Sequence, residues 1–357
     1  MKSLVVSCVS LTCGGAERVI SILSSRFASH FDSVKIVMWK EAPVFYKIDK
    51  RVEIVSIEKE ISSRNYLKKI LWFRSFLKKE KPSLVLSFLA KSSVGVLLAN
   101  VGVNAKVIVA ERNDPRFLKG GKPMILIRDV LYTFANGILE QTESSRLYFS
   151  GRKLAKTQVI YNPVLMDSSY VGCACDEKRE KVIVSVGRLE PQKNYKLLLE
   201  AFSEFHKAYP SYKLVIYGEG SCRTALEKQI SDLCESSIVE LPGNKKNVFD
   251  YVKSASVFVM TSNFEGMPNA LIEAMCLGLP CISTKVAGAV DLIKNEKNGL
   301  LIDVGDKLAL VSSLKKLVAD EAFSRGLGKE ASKIYNDLSV EKISTEWINY
   351  LDSFMKT

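Results

Sequence analysis

Two glutamates flank a proline and a run of apolar residues in the segment NFEGMPNALIEAM, Asn263–Met275. Proline is favoured as the first residue of a helix, because its missing N–H would have no intrahelical partner there. Pro268 therefore predicts a helix start. That start leaves three backbone amides unpaired, those of Asn269, Ala270 and Leu271. The amides and the helix dipole attract an anion. With Glu265 just outside the helix and Glu273 about one turn inside it, the segment predicts a site for a phosphate-bearing ligand that carries hydroxyls on both sides.

A second candidate site lies in GRLEPQKN, Gly187–Asn194. Arg188 and Lys193 are five residues apart on a predicted loop between a strand and a helix. An arginine fork and a lysine point charge can both converge on one diphosphate. The alternative is a pair of solvated surface cations.

Short glycine motifs follow two further predicted strands in the second half of the chain. YGEG spans Tyr217–Gly220 and LPGNKKN spans Leu241–Asn247. Each is weak alone, since a glycine after a strand usually marks only a turn. In a parallel sheet, however, the loops at the carboxyl ends of the strands line one edge. The residues predicted to share that edge with the glutamate segment are Gly187, Gly218, Gly243 and Asn244.

A glycine pair also opens the first predicted helix, in CGGAERV, Cys13–Val19. Gly14 and Gly15 would let the backbone approach a phosphate or a sugar. The dinucleotide-binding fingerprint is absent, because the third glycine is missing and Lys40 follows the second strand where an acid is expected. The alternative is a plain tight turn, with Glu17 favouring the helix N-terminus.

These motifs sit in two series of alternating strands and helices, which is typical of parallel sheets covered by helices. The predicted strands of the first half are Leu4–Val9, Lys35–Met38, Glu53–Ile57, Leu84–Phe88, Lys106–Ala110 and Gly137–Leu139. Those of the second half are Val182–Val186, Lys213–Tyr217, Ile238–Leu241, Val257–Met260, Pro280–Ser283 and Leu300–Ile302. The fold class is α/β, with two doubly wound Rossmann-like domains.

Composition narrows the class of protein. The chain has 357 residues, enough for two domains. No apolar run approaches the ~20 residues that cross a bilayer, and the N-terminus lacks a secretory signal, so a cytoplasmic protein is expected.

Eight scattered cysteines indicate free thiols rather than disulfides. Two histidines exclude a three-histidine metal site, and no metal ligand is predicted.

The net charge of +12 is unevenly distributed. Residues 1–170 hold 27 Lys and Arg against 14 Asp and Glu, a net charge of +13, whereas residues 171–357 hold 24 against 25, a net charge of −1. Such asymmetry indicates a partner that is anionic: nucleic acid, a membrane surface or a phosphorylated substrate.

The segment Arg64–Lys81 predicts a basic amphipathic helix. It could lie on an anionic membrane through Trp72 and Phe73. The cations that concentrate charge beside Trp72 and Phe73 are Arg64, Lys68, Lys69, Arg74, Lys78 and Lys79. The alternative is a helix that packs on its own sheet through Leu67, Ile70, Leu71 and Leu77.

Taken together, the glycine pair, G-R-L-x-x-Q-K-N and E-G-x-P-N-A-x-x-E-A resemble motifs of the retaining GT-B glycosyltransferases of family 4, over nearly the whole chain. The likeness is greatest to bacterial enzymes that build capsule, O-antigen or other lipid-linked surface polysaccharides. The resemblance implies two domains facing a cleft: an acceptor-binding domain, 1–168, and a nucleotide-sugar-binding domain, 169–340. It also implies a terminal helix, 341–357, that packs back on the first domain.

The resemblance also implies roles for matching residues. Arg188, Lys193 and Glu265 would be catalytic: the cations would neutralise the leaving diphosphate, and Glu265 would hold the donor sugar. Glu273 would hold the ribose. The remaining donor-binding residues would be Gly14, Gly15, Gly187, Gly218, Gly243, Asn244, Gly266, Met267, Pro268, Asn269, Ala270 and Leu271.

One motif departs from the family. Many relatives have a histidine near the donor sugar, where this chain reads VAERNDPR, Val109–Arg116. The acceptor-side candidates are Glu17, Glu111, Arg112 and Asn113. The alternative is a turn that precedes the amphipathic run Met124–Phe134.

The resulting hypothesis is a retaining, metal-independent transferase with no cofactor beyond its nucleotide-sugar donor. It would move a hexose or N-acetylhexosamine from a nucleotide diphosphate, with UDP favoured, to a saccharide on polyprenyl diphosphate, at the inner face of the cytoplasmic membrane. The alternatives are a UDP-sugar epimerase of the same fold, a nucleotide-sugar sensor, and a nucleic-acid-binding protein. No recognised nucleic-acid module is present, so nucleic acid is not the expected partner.

Overall fold

The computed structural model describes residues 2–118, 120–176, 179–233 and 236–355. The chain divides into two compact units: unit 1 comprises Met1–Leu165 with Leu338–Thr357, and unit 2 comprises Met166–Asp337. The sequence analysis placed the division after residue 168 and the return to the first domain at residue 341.

The described residues of unit 1 are built on a seven-stranded parallel sheet, in the order β3-β2-β1-β4-β5-β6-β7. Apolar, β-branched runs form its central strands, which are buried on both faces. The strands are β1 (Ser3–Cys8), β2 (Ser33–Met38), β3 (Glu53–Ser56), β4 (Leu84–Phe88), β5 (Val107–Ala110), β6 (Gly137–Glu140) and β7 (Thr157–Val159).

Helices cover this sheet. They are α1 (Gly15–His30), α2 (Ile57–Ile61), α3 (Tyr66–Glu80), α4 (Ala90–Asn100), α5 (Gly121–Leu131), α6 (Glu143–Arg146) and α7 (Gly151–Ala155). A 3₁₀ turn, Tyr132–Phe134, follows α5 directly. The last described helix of the chain, Val340–Ser353, also belongs to unit 1. Its Trp347 is fully buried and stacks on Phe88 with ring centroids 5.7 Å apart.

Unit 2 is built on a six-stranded parallel sheet, in the order β10-β9-β8-β11-β12-β13. The strands are β8 (Glu180–Val186), β9 (Lys213–Tyr217), β10 (Val239–Gly243), β11 (Ala255–Met260), β12 (Cys281–Thr284) and β13 (Leu300–Ile302). The chain passes from β8 to β9 on one side and returns to β11 on the other. Loops after β8 and β11 therefore flank the point where strand order reverses, which is where open α/β sheets bind ligands.

The helices of unit 2 cover both faces of its sheet. They are α8 (Cys173–Asp176), α9 (Tyr195–His206), α10 (Arg223–Asp232), α11 (Phe249–Val252), α12 (Asn269–Leu277), α13 (Ala287–Leu292), α14 (Lys307–Ala319) and α15 (Glu321–Ser332), and α16 (Tyr335–Leu338) spans the division into units. One 3₁₀ turn, Ser168–Tyr170, precedes α8, and another, Pro191–Lys193, precedes α9.

The sequence predicted twelve strands, and the structure has each of them within a few residues. It missed β7, because Thr157–Val159 is only three residues long and its side chains are not continuously apolar. Among the described residues, no helix is long and apolar enough to cross a membrane.

Candidate functional site

The loops that follow β8 and β11 are tied together by hydrogen bonds. The backbone N–H of Asn263 donates to the Gln192 carbonyl at 2.8 Å. The Gln192 side chain donates to the Phe264 carbonyl at 2.8 Å. The Thr261 hydroxyl donates to the Lys193 carbonyl at 3.0 Å. Because β8 and β11 are neighbouring strands, the two predicted motifs form one rigid edge of the sheet.

Lys193 and Glu265 meet at this edge. Lys193 Nζ lies 2.6 Å from Glu265 Oε1, and both side chains are largely buried. The Ser262 hydroxyl donates to the same carboxylate oxygen at 2.8 Å. The Thr284 hydroxyl, at the end of β12, donates to the Ser262 carbonyl at 2.6 Å. Ser262 and Thr284 support the carboxylate but were missed by the sequence analysis; their only signal is their position at or just beyond strand ends.

Arg188 differs from Lys193 in its environment. Its side chain is exposed. Within the described part of the chain it has no ion-pair partner, so the guanidinium stays available to an anion. The convergence of both cations on one diphosphate stays a prediction; in the structure the Lys193 ammonium also binds the Glu265 carboxylate.

The start of helix α12 differs in detail from the prediction. Pro268 has φ −81° and ψ 99°, which is extended backbone, so it precedes the helix instead of being its first residue. The N–H of Leu271 donates to the Pro268 carbonyl at 3.1 Å. Of the three amides that were predicted to be unpaired, that of Leu271 is therefore hydrogen-bonded. The physical reason is a tight first turn, in which an i to i+3 bond satisfies one amide early.

Glu273 lies one turn into α12 and is only 8% exposed, as is Glu265. Gly266, Met267 and Pro268 between the two glutamates are also buried, whereas Asn269 and Ala270 are half-buried. Two shielded carboxylates thus stand at the two ends of a short backbone segment that enters a helix. Such a segment can hold a polyhydroxylated anion by its hydroxyls and by its charge.

The glycines after β8, β9 and β10 are needed for close approach between loops. A Cβ added to Gly218 would overlap the carbonyl oxygen of Gly187. Gly243 has φ +77° and lies against the Glu219 carboxylate, with Asn244 beside it in an exposed position. The structure thus brings together the strand-end loops that the sequence placed on one edge.

Gly288, in α13, was missed by the sequence analysis. A Cβ at this position would overlap the Gly266 carbonyl oxygen and would lie 2.9 Å from Met267 Cα. The glycine therefore lets α13 approach the loop between the two glutamates. No local motif distinguishes it from an ordinary helical glycine.

Gly14, Gly15 and Glu17 lie in unit 1, at the junction of β1 and α1. Gly14 is in extended backbone with φ −162°. The Glu17 carboxylate occupies the space that a Gly14 side chain would need. Glu17 is therefore packed over the glycine pair, in the first turn of α1.

The acceptor-side candidates after β5 are divided by burial. Glu111 and Arg112 are buried, whereas Asn113 is exposed. Arg112 donates to Asn162 Oδ1 at 3.0 Å, and its guanidinium lies 5.0 Å from the Trp347 ring centre. Burial lowers the pKa of Arg112 to about 10.

Glu111 belongs to a buried carboxyl pair that the sequence analysis missed. Burial raises the pKa of Glu111, against the opposing charge of Arg128. Tyr132 donates to Glu111 Oε1 at 2.5 Å. Glu140, at the end of the neighbouring strand β6, is fully buried and neither carboxyl oxygen has a hydrogen-bond partner among the described residues. Burial and the charge of Glu111 raise the pKa of Glu140 well above its usual value.

Comparison with known proteins supports a sugar-transferring enzyme. The family model for glycosyl transferases group 1 matches residues 176–334. The chain is 28% identical, over 96% of both chains, to the Campylobacter jejuni GalNAc-alpha-(1->4)-GalNAc-alpha-(1->3)-diNAcBac-PP-undecaprenol alpha-1,4-N-acetyl-D-galactosaminyltransferase. It is 25% identical to the amylovoran biosynthesis glycosyltransferase AmsD of Erwinia amylovora, over 95% of this chain and 96% of that one.

Among solved structures, the Anabaena protein HepE in complex with UDP superposes with a TM-score of 0.81. The alignment covers 99% of this chain and 100% of that one, at 17% identity. The fold is GT-B. The predicted fold class is thereby confirmed, and the matched family and relatives support glycosyltransferase activity.

Helix α3 of this GT-B chain differs from both interpretations of the sequence. Phe73 is fully buried and Trp72 is half-buried, stacked on Phe76, so the two aromatic residues do not form a membrane-facing pair. Leu67 and Leu71, which the alternative placed in the core, are 70% and 63% exposed. The physical reason is that Phe73, Phe76 and Leu77 already fill the space over the sheet.

The cations of α3 are also divided by burial. Lys69 is buried and pairs with Glu58 at 2.6 Å, and Arg74 donates to the Ala99 and Val101 carbonyls. Neither is available to a membrane. The exposed cations of the predicted segment Arg64–Lys81 are Arg64, Lys68, Lys78, Lys79 and Lys81.

Proposed function

We propose that this protein is a glycosyltransferase that moves a hexose or N-acetylhexosamine from a nucleotide diphosphate sugar to a saccharide on polyprenyl diphosphate. Its product would enter a capsule, an O-antigen or a related surface polysaccharide. The observation that carries the proposal is the paired Lys193 and Glu265 at the joined loops, directly before α12. The Campylobacter relative, which is named for a PP-undecaprenol substrate, supports this acceptor.

Unit 2 is the proposed donor site. The hydroxyls of the ribose would bind Glu273, those of the transferred sugar would bind Glu265, and the diphosphate would lie at the backbone between them. UDP is the proposed nucleotide, and the UDP complex of HepE supports this choice. Arg188 and Lys193 would bind the diphosphate, and no cofactor is required beyond the donor.

The proposed chemistry is transfer with retention of configuration and without a metal. Departure of the nucleotide builds negative charge on the diphosphate, and fixed cations and amides aimed at developing charge usually contribute more to catalysis than any other single effect. Arg188 and Lys193 supply such charge without a metal ion. The two joined loops hold these cations in place, so the site would need little rearrangement when negative charge forms on the leaving diphosphate.

Unit 1 is the proposed acceptor unit. Glu111, Arg112 and Asn113 stand on the loop that follows β5, and Glu17 stands in the first turn of α1, which follows β1. Asn113 is the exposed member of the set and therefore the one proposed to touch the acceptor, whereas the buried Glu111 and Arg112 would position its loop.

The lipid-linked acceptor implies work at a membrane. We infer that the exposed cations of α3 attract this protein to the anionic cytoplasmic leaflet, where each near cation contributes about 1 kcal/mol. The relatives are named as transferases, which gives no support to an epimerase, a sensor or a nucleic-acid-binding protein.

A donor screen tests the proposal. The purified protein is heated with a panel of UDP- and GDP-sugars, and a true donor should raise Tm. Each stabilising donor is then incubated with a polyprenyl-diphosphate saccharide and, separately, without an acceptor. We expect sugar transfer only in the first mixture. An epimer formed in the second mixture would mean that the protein is an isomerase and not a transferase.

A further inference from the structure

Helix α5 exposes three of its apolar residues and buries its arginine. Leu126, Ile127 and Val130 are 67%, 47% and 54% exposed, whereas Arg128 is fully buried. Within Gly121–Leu131, all of which the structure describes, Arg128 alone is buried. An ordinary surface helix of a globular protein has the reverse arrangement.

The contacts of Arg128 fix this orientation. It donates to the Pro115 carbonyl at 2.9 Å and to Asp129 Oδ1 at 2.8 Å. Its guanidinium also lies over the rings of Tyr148 and Tyr132. Turning α5 to bury its exposed apolar residues would break these bonds and remove the opposing charge of Arg128 from Glu111. The apolar side is therefore held outward by the core of unit 1 itself.

The exposed apolar surface extends beyond α5. Phe134, in the 3₁₀ turn that follows, is 72% exposed. Residues 126, 127, 130 and 134 fall on one side of a helix by their spacing. We call Leu126, Ile127, Val130 and Phe134 the α5 surface. Exposed apolar patches rimmed by polar residues mark interaction sites on soluble proteins.

The neighbouring helices bury ordinary apolar faces but also expose some apolar side chains. Helix α4 packs against both α3 and α5. It exposes Leu98 by 38%, and Val101 just after it is 64% exposed. Leu67 and Leu71 of α3 are exposed further along. Helices α3 and α5, which both pack against α4, and α4 itself thus each present apolar side chains to the outside.

The charges around the α5 surface identify its occupant. Lys122 is exposed at the start of α5, and Arg152 is exposed on α7, which packs against the 3₁₀ turn. Lys156 donates to the Thr133 and Ala135 carbonyls beside Phe134. The acid of α5, Asp129, is already paired with Arg128. A second copy of the chain would bring like charges together at this rim, whereas an anionic lipid surface complements it.

We propose that the α5 surface inserts into the boundary between head groups and acyl chains of an anionic bilayer. Interfacial helices bind in this way, with apolar side chains below the head groups and cations among them. The α5 surface would supply apolar contact that resists salt, whereas the cations of α3 would supply attraction that salt screens. The inference rests on the proposed function in one respect only: the lipid-linked acceptor explains why this protein would bind a membrane.

Substitution of the α5 surface tests the proposal. The variant carries Leu126→Ser, Ile127→Ser, Val130→Ser and Phe134→Ser. The control carries Val290→Ser, Val304→Ser and Leu308→Ser, three apolar residues of unit 2 that are 44%, 45% and 70% exposed. Circular dichroism and Tm establish that both fold. Binding is measured by co-sedimentation with vesicles of phosphatidylcholine and phosphatidylglycerol, at low and at high salt.

We expect the wild type and the control to keep part of their binding at high salt, and the α5 variant to lose it by on the order of tenfold or more. In addition, a Val130→Trp reporter should shift its fluorescence to the blue and be quenched by brominated lipids, whereas a Leu308→Trp reporter should not. Equal binding of wild type and α5 variant at high salt would overturn the proposal, and so would a wild type that ignores the vesicles.

Two parallel measurements separate the remaining explanations. Light scattering gives the oligomeric state; a wild-type dimer that becomes a monomer in the α5 variant, with vesicle binding unchanged, would overturn the proposal and make this surface an interface between copies. Transfer to a short, soluble acceptor analogue is measured on the same preparations. If the wild type transfers no sugar, the proposed function is contradicted. The insertion of the α5 surface is then still tested by the vesicle-binding measurements alone.

Discussion

The Nζ atom of Lys193 lies 2.6 Å from Oε1 of Glu265, and the two side chains are 14% and 10% exposed. The cation proposed for the leaving diphosphate is thus held by the carboxylate proposed for the transferred sugar. A nucleotide diphosphate sugar at this site would bring a second anion to the same ammonium. Loss of either partner should therefore affect folding as well as chemistry, which is not expected for the exposed Arg188.

Arg188→Ala and Lys193→Ala should each lower turnover by on the order of 10² to 10³, because each removes fixed positive charge from the leaving group. Only Lys193→Ala should also lower the free energy of unfolding, by on the order of 2 kcal/mol or more, since it leaves Glu265 largely buried without its cation. Kinetics and urea unfolding of both variants check this. The double variant Lys193→Ala/Glu265→Gln should recover stability but not activity; equal stability of the two single variants would contradict the structural role of the pair.

Glu273→Gln and Glu265→Gln should differ in their kinetics. A ribose contact acts on the ground state and the transition state alike, so Glu273→Gln should raise KM for the donor more than it lowers kcat. Glu265→Gln should chiefly lower kcat, because its sugar contact is expected to tighten during transfer. Steady-state kinetics with a saturating acceptor separate the two. Matching profiles would argue against separate roles.

Gly288→Ala should weaken donor binding. The added Cβ would meet the Gly266 carbonyl oxygen and lie 2.9 Å from Met267 Cα, so the loop between the two glutamates must move. We expect donor affinity to fall about tenfold and the free energy of unfolding to fall by about 1 to 3 kcal/mol. The control is Gly326→Ala in α15, where a Cβ meets nothing within 4 Å. The control should keep donor affinity and gain up to about 1 kcal/mol of helix stability. Equal losses of donor affinity in both variants would contradict a specific role of Gly288 at the donor loop.

Glu140→Gln should change how stability depends on pH. The pKa of Glu140 is raised in the folded protein by burial and by Glu111, with Arg128 and Arg112 opposing and Asp114 adding to the rise. Above the unfolded pKa of about 4.5, the unfolded chain releases this proton while the folded chain retains it, so stability falls as pH rises towards the folded pKa.

The Gln variant lacks that proton and should show a shallower fall over the same range. Urea unfolding from pH 4.5 upward measures it, with the exposed Glu143→Gln as the control. Identical pH profiles for wild type and Glu140→Gln would mean that Glu140 is not held neutral.

The sequence predicted the elements of this fold better than it predicted which side of them is buried. Alternating apolar runs identify strands, and the motif Glu265–Glu273 identifies a strand-to-helix edge, because both signals are local. Burial of Glu140 depends on the neighbouring strand β5 and on the loop that follows it. The inward position of Arg128 likewise depends on Pro115, Tyr132 and Tyr148, which are brought to α5 only by the folded chain.

Helix α3 illustrates the same point. Its pattern of leucines, aromatic residues and lysines is compatible with more than one inward face. The structure chooses the face of Phe73, Phe76 and Leu77, because these fill the core beside β4 and α4. Lys69 then points towards Glu58, and Leu67 and Leu71 point outward. No local rule selects this face, since the choice depends on the volume left by other elements.

Reversal of the exposed cations of α3 should release this protein from anionic vesicles at low salt. The variant carries Lys68→Glu, Lys78→Glu and Lys79→Glu and keeps Lys69, because an acid at that buried position would face Glu58 and destabilise unit 1.

Each near cation contributes about 1 kcal/mol, screened beyond a Debye length of about 8 Å at physiological salt, so the three changes should lower low-salt binding by on the order of 10² or more. Co-sedimentation measures this, and the matched control reverses Lys207, Lys228 and Lys315, which are exposed lysines of unit 2. Transfer to a soluble acceptor analogue should persist in both variants, because neither set of lysines lies at the proposed donor site. If both variants lose binding equally, total charge rather than α3 attracts the protein to the membrane, and α3 is then an ordinary packed helix with a solvated basic face.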